Sequence, residues 1–543
     1  MPPPVTDDGY HWTRSTGMQQ GVLRCKGVVD PLSRIDNSFL EYDVVVIGAG
    51  YAGLIAAREL VQRGHSVALL EARDRVGGRT WTAEVDGYMY EMGGTWVTHW
   101  MGYLQKEMER YGMEDDLITT RLKGAGDDFY TLNVPGAKPR KMSHAEAGAL
   151  AARAWDIFVN VDGNGGRTVC PLPHAPFNNV RTTKADVEAI DQLSAVDRLE
   201  QIGHLLTNEE RGVLEALLLH ISGGTLETTS TWDIVHSNAL QGHSSVNFEE
   251  VWTTYKLREG QSGLARAMFD EACIAGLDYA FKTPVDTIRD LRNFVEIHTT
   301  TGSTFRATRV ISTIPLNVLH TIKFDPPVSP TRAEAFRLGH VNHMSKIHAE
   351  VKGDIASWCG LTYPAKLMFG YSDGLYPNGN THIVTFGADE TDDFVPEKNP
   401  EQVIEAMNRI RPVDVQRMVF HNWNTDPWSM AGPAWYRPGY ATKYQEELQS
   451  RHGNIFFASA DWARGWRAAI DGALEQGFCN AQSVSRELQG RHWKRGYFLP
   501  QGDSVSDSIP HVGAMKGGVN GKDGVNGKDG VNGLSNGVNG FHI

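Results

Sequence analysis

VVVIGAGYAGLIAARELVQRGHSVALLEARDRVGGRT, from Val44 to Thr80, decides how this chain begins to fold. Val44, Val45, Val46 and Ile47 are all β-branched and follow Asp43, which predicts a strand buried on both faces. Gly48, Gly50 and Gly53 then spell G-x-G-x-x-G, and Leu54 to Arg63 reads as the helix that follows. A second apolar run, Val67 to Leu70, ends on Glu71. The first glycine permits a tight turn, the second lets backbone approach a pyrophosphate, and the third allows helix to lie close on strand. Unpaired N–H groups at the helix start favour an anion there. Glu71 stands where an acid accepts hydrogen bonds from a ribose diol. Strand, glycines, helix, strand and acid occur in order, so a dinucleotide site is expected.

Working outward, 543 residues exceed what one core organises, and two or three domains are expected. A hydrophobic content of 41% suits a globular protein, and a net charge of −13 argues against nucleic acid or an anionic membrane as partner. Cys25, Cys170, Cys273, Cys359 and Cys479 are scattered, without a C-x-x-C pair, as in a reducing compartment. No run reaches the roughly 18 apolar residues of a membrane span, and neither a signal-peptide core nor a peroxisomal tripeptide is present. A cytoplasmic protein is the default expectation.

Residues 1–40 read as irregular surface chain. Helical periodicity marks Ser143 to Asn160, Glu209 to Ser222, Ser262 to Ala275, Pro400 to Ile410 and Ala468 to Leu488. Strands are expected at Val285 to Ile288, Phe294 to His298, Arg309 to Ile314, Ile347 to Val351, Thr381 to Phe386 and Ile455 to Ser459. From Gln501 onward ordinary composition is lost, and Val-Asn-Gly-Lys-Asp-Gly repeats from Val519. Glycine at every third position without proline predicts a disordered tail and not a collagen helix.

Two further glycine pairs follow the fingerprint. Ala72 to Arg79 (ARDRVGGR) is either a basic surface turn or a cradle for a second phosphate. Tyr90 to Trp96 (YEMGGTW) offers backbone to a flat ring. With GYHWTRSTG, FVNVDGNGGRTV, ISGGTLE, STIPLNVL, HVNHMSKIHAEV, VFHNW and FFASADWARGWRAAIDGALEQG, these motifs make residues 9–488 resemble the flavin-dependent monoamine oxidases, most closely their fungal branch. The resemblance implies a mixed α/β (α+β) fold. A Rossmann-like FAD-binding domain of the flavin amine oxidase, p-hydroxybenzoate hydroxylase-like type would interleave with a substrate domain. The expected partition is an N-terminal extension (1–39), an FAD domain (40–115, 256–335, 436–490), a substrate domain (116–255, 336–435) and the tail (491–543).

Carried over by motif, the resemblance assigns FAD contacts to Gly48, Gly50, Tyr51, Ala52, Gly53, Glu71, Ala72, Arg73, Gly78, Arg79, Gly93, Gly94, Thr95 and Trp96. Val285, Asp461, Ala469 and Ile470 complete that set, with Asp461 replacing the family's usual glutamate and facing the ribityl-pyrophosphate. Lys346 matches the lysine that holds a water against flavin N5. Read alone, it is an ordinary solvated strand lysine. The segment Trp428 to Tyr436 lacks the cysteine through which some relatives bind flavin covalently, so non-covalent FAD is expected.

The same resemblance locates a departure. Two aromatic rings usually guide the amine to the flavin; here one position falls at Pro433 or Ala434 and the other at Ala469. Either the pocket is widened, or Trp435 or Trp466 supplies a ring through a shifted register. The expected substrate pocket is Pro433, Ala434, Trp435 and Ala469. Scattered histidines lack metal-ligand spacing, so no metal is expected. The implied function is FAD-dependent oxidation of an amine, a bulky one, by O2 to an imine and H2O2. Alternatives are a flavin-dependent tailoring dehydrogenase of fungal secondary metabolism and an idle FAD-binding protein. Partners are the amine and O2, with a homodimer left open.

Overall fold

Val44 and Val46 face one hydrophobic core while Val45 and Ile47 face another, so the opening strand is buried on both sides. The computed structural model describes residues 2–35, 40–120, 128–177, 179–355, 357–388 and 393–490. The strand spans Glu41–Ile47 and lies parallel to Val67–Leu70 on one side and Thr304–Ser312 on the other. Asp278–Ala280 extends this sheet in parallel, and Ile455–Phe457 runs parallel to the end of Thr304–Ser312. An antiparallel excursion, Val285–Asp290 and Val295–Thr299, brings the sheet to eight strands with Lys323–Asp325.

Helix Tyr51–Val61 lies on this sheet between helices Gln261–Ile274 and Ile470–Leu488. A Cβ on Gly477 would stand 2.1 Å from the Ala52 carbonyl oxygen, which makes glycine a condition of that close crossing. Every expected strand and helix is present within a few residues.

The second sheet has nine strands in the order Arg140–Met142, Phe129–Asn133, Trp358–Thr362, Phe369–Leu375, Thr381–Ala388, Met344–Val351, Val415–Phe420, Tyr10–Thr13 and Gly17–Gln20. All neighbours are antiparallel except Phe129–Asn133 and Trp358–Thr362. The N-terminal segment therefore corrects the expectation of irregular chain. Tyr10 pairs with Phe420, stacking ring on ring at 5.3 Å, and the hairpin Tyr10–Gln20 closes one edge of the sheet. Its two strands have only four residues each, too few for the alternation to stand out.

Helices His144–Val159 and Asn208–Ser222 begin on capping boxes, Ser143 with Glu146 and Thr207 with Glu210, where side chain and backbone satisfy one another's end groups. Among the described residues no helix is long and apolar enough to cross a membrane. All five cysteines are free thiols. The expected disordered tail lies outside the described residues.

Candidate active site

Where strand Glu41–Ile47 ends, the backbone of Gly48 adopts φ +103°, and a Cβ there would meet Thr313 Oγ1 at 2.4 Å. Gly53 is tighter still, since its Cβ would lie 1.8 Å from the Gly48 carbonyl oxygen. Gly50 caps helix Tyr51–Val61 without a side-chain hydrogen bond, leaving the first N–H groups of the helix for a ligand. The Cα of Gly50 comes within 3.2 Å of where a Cβ on Gly78 would stand. Glu71 fixes this turn by accepting from Ala49 N at 2.6 Å and Arg73 N at 2.8 Å. Burial raises its carboxyl above the usual range. Donors at the helix start, glycine backbone and one carboxylate suit a dinucleotide with an anionic pyrophosphate and a ribose diol.

A cavity of about 420 Å³ runs from this turn to the second sheet. Its wall includes Gly48, Gly50, Tyr51, Ala52, Glu71, Ala72, Arg73, Gly78, Arg79, Gly93, Gly94, Thr95, Trp96, Val285, Lys346, Pro433, Trp435, Ala469 and Ile470. Three expected residues are absent from the wall. Gly53 lies under the turn, against Gly48. Ala434 is buried, 1% exposed. Asp461, fully buried, accepts from Arg79 Nη2 at 2.5 Å and Leu316 N at 2.8 Å. The expectation that Asp461 faces the ligand is thereby corrected: it orients Arg79, which reaches the wall and also donates to the Gly432 carbonyl.

Arg73 lines the cavity, but its guanidinium is engaged by protein. Nη1 binds both oxygens of Asp8, at 2.9 and 3.1 Å, and Nη2 binds Asp426 at 2.6 Å. Asp8 also takes Arg75 Nε at 2.8 Å, and His421 Nε2 meets Asp426 at 2.5 Å. The neighbouring guanidinium groups hold the Asp8 and Asp426 carboxyls below the usual range despite burial. Ligand atoms of Asp8, His421 and Asp426 come within 4.8 Å of one another, but both carboxylates already face arginine, which takes the place a cation would occupy.

Lys346 projects from strand Met344–Val351 and is 5% exposed. Its Nζ donates to Gly93 O at 3.0 Å and Thr95 Oγ1 at 2.5 Å. The rings of Trp96 and Phe386 stand 5.8 and 5.7 Å from that nitrogen. Burial pulls the amine down to about 7, a fall that the charges of Glu91 and Asp373 partly oppose. Asp373 is itself paired with Lys256 at 2.6 and 2.8 Å.

Aromatic rings recur along the wall: Trp96 and Phe386 stand beside Lys346, and Phe248, Trp252, Phe369, Trp428 and Trp435 also line it. Trp466 is 1% exposed and packs edge-on against Trp252 at 5.4 Å, away from the wall, so it replaces no ring at Ala469. Ala468, just before helix Ile470–Leu488, takes φ +68°, a conformation that costs a side chain with a Cβ about 1 kcal/mol.

His220 went unrecognised in the sequence, where it is one histidine among twenty. The structure sets it on the wall against Phe369 and Phe386, with ring centroids at 5.0 and 5.3 Å. Its Nδ1 has no partner, and burial lowers its pKa to about 4, so the imidazole is neutral. The helical periodicity of Asn208–Ser222 carries no signal that this helix presents a histidine to a ligand. Among the described residues Glu71 is the only carboxylate on the wall.

The family described as flavin containing amine oxidoreductase matches residues 51–485. Pseudooxynicotine dehydrogenase of a Pseudomonas species is 31% identical over 463 residues, covering 84% of this chain and 88% of that protein. Putrescine oxidase of Kocuria rosea is 26% identical over 476 residues, covering 82% of this chain and 95% of that one. The solved structure of a wild-type putrescine oxidase bound to putrescine matches with a TM-score of 0.66 at 20% identity, across 82% of this chain and 99% of the other, a likeness of fold. With a nucleotide turn, a cavity leading from it and a family match across most of its length, this chain belongs to the flavin containing amine oxidoreductases.

Proposed function

We propose that this flavin amine oxidoreductase oxidises a bulky, neutral monoamine with an apolar or aromatic body, and passes the electrons to O2. The observation that carries the reading is the wall, where Trp96 and Phe386 flank Lys346, Ala469 adds no ring, and Glu71 at the nucleotide turn is the one carboxylate among the described residues. An ammonium entering such a wall loses water without gaining a counter-charge, so the amine enters uncharged. A diamine would leave a second ammonium without an acidic partner.

FAD, when bound, supplies the two-electron acceptor and its reoxidation by oxygen. The protein's part is binding, orientation and proton handling. Gly48, Gly50 and the start of helix Tyr51–Val61 would hold the pyrophosphate, Glu71 the ribose, and Gly93, Gly94 and Thr95 the ring system. None of the five cysteines lies on the cavity wall, in keeping with non-covalent FAD. Neutral Lys346 keeps a lone pair on Nζ for a water hydrogen or a proton, while the rings around it exclude bulk water. His220 offers a hydrogen bond to a polar group of the substrate.

We assign the eight-stranded sheet, whose strands fall within 40–115, 256–335 and 436–490, to FAD binding. The nine-stranded sheet, largely within 116–255 and 336–435, goes to substrate binding. The motif set and the cysteine-free segment Trp428 to Tyr436 support the fungal branch, and five free thiols support a cytoplasmic location.

Purified yellow protein should bleach anaerobically with bulky aromatic monoamines and release H2O2 when air is admitted, with little response to putrescine. Absence of bleaching by every amine in a broad panel would overturn the reading. A second reading, dehydrogenation of a large nitrogen-free intermediate, is favoured by the space beside Ala469. Bleaching by a polycyclic substrate without an amine would select it.

A further inference from the structure

The segment that gives Gly432, Pro433 and Trp435 to the first cavity also gives Met430 and Arg437 to a second one of about 370 Å³. Arg337, Arg437, His320, His340 and His343 line this second cavity, and among the described residues no aspartate or glutamate does. In a chain with a net charge of −13, a cavity with two arginines and no acid is a local inversion of sign.

Arg437 is half-buried, and no carboxylate pairs with it among the described residues. Its Nη2 donates to Leu338 O at 2.9 Å, while Nε is shielded from solvent and has no acceptor. His340, 2% exposed, accepts at Nδ1 from Asn342 N at 3.3 Å. Its Nε2 is then the N–H of a neutral ring, and it too lacks an acceptor. Buried polar groups in native proteins are nearly always satisfied, and a guanidinium withdrawn from water calls for an anion. Glu334 lies one turn before exposed Arg337 on helix Pro330–Leu338 but pairs with Lys443 at 3.0 Å.

We propose that this cavity binds a small oxyanion, a phosphate or carboxylate group, held by the guanidinium groups of Arg437 and Arg337. Guanidinium presents paired N–H donors that match two oxygens of such a group. Because residues 430–437 line both cavities, the anion steadies the segment that carries Pro433 and Trp435 and thereby lowers KM for the amine.

The test uses yellow holoenzyme, titrated with inorganic phosphate in one arm and succinate in another, each against chloride at equal ionic strength. The melting temperature should rise by about 1 °C at tenfold excess over Kd and then saturate. Salts that act by exclusion from the surface give no saturation. A response to phosphate alone identifies a phosphoryl ligand, and one to succinate alone a carboxylate. Arg437→Met should abolish the saturable rise, and Arg337→Gln, on the exposed side, should weaken it about fivefold. No saturable rise in the wild-type protein overturns the proposal. So does an unchanged affinity in Arg337→Gln, which stands even where Arg437→Met yields no folded protein.

Discussion

Lys346 loses its charge near neutral pH because its Nζ is buried between two rings and bonded to a carbonyl and a hydroxyl. Its amine falls to about 7 in the fold against 10.5 for an ordinary lysine. Between those values the folded state binds fewer protons than the unfolded one, so this group alone makes stability rise with pH across that window. The same titration should appear in catalysis. The rate of anaerobic flavin bleaching is expected to climb through a limb near pH 7 in the wild-type protein. Lys346→Met should remove the limb and lower the rate about 100-fold, checked by stopped-flow absorbance. Ala469 is the second residue on which the reading turns. Ala469→Phe should cut kcat/KM for a bulky amine about tenfold while sparing a slender alkylamine, measured by peroxide release; equal effects on both would count against a widened pocket. These two positions were legible because motifs fix their register. His220 was not, because only the packing of its helix on the second sheet turns that histidine towards the cavity.

At the scale of elements, the turn between strand Glu41–Ile47 and helix Tyr51–Val61 is a contact between backbones, with no room for side chains. Gly53→Ala would place a methyl group 1.8 Å from the Gly48 carbonyl. The turn must open to admit it, and purified Gly53→Ala protein is expected to carry less than about a tenth of the wild-type flavin, read from its visible absorbance. This unit was fully legible in sequence because both of its signals are local: an unbroken β-branched run and glycines at fixed spacing. Thr381–Ala388 of the second sheet, buried along its whole length, was legible from a local signal of the same kind, a stretch rich in β-branched residues. Short strands were not. Tyr10–Thr13 draws its stability from Val415–Phe420, and nothing within four residues announces a partner so distant in the chain.

For the molecule as a whole, the N-terminal hairpin joins the two sheets electrostatically. Asp8, just before it, neutralises Arg73 and Arg75, which follow the nucleotide turn, while Asp426 reaches Arg73 from the segment after strand Val415–Phe420. Asp8→Asn should destabilise the holoenzyme by about 3 kcal/mol at neutral pH, since it leaves buried guanidinium groups short of charge. The Asp8 carboxyl is lowered from 3.8 in the fold, so its contribution is complete above that value and lost as pH falls below it. Thermal unfolding of the two proteins should therefore converge towards acid pH. The pairing of Tyr10 with Phe420 also bears on how the chain is made. On the ribosome the first strand emerges long before Val415–Phe420 exists, and until then only its own hairpin partner, Gly17–Gln20, is there to pair with it. Completion of the second sheet is thus a late event in biosynthesis, and a bulky affinity tag fused ahead of Asp8 would hinder the last step of folding more than the first.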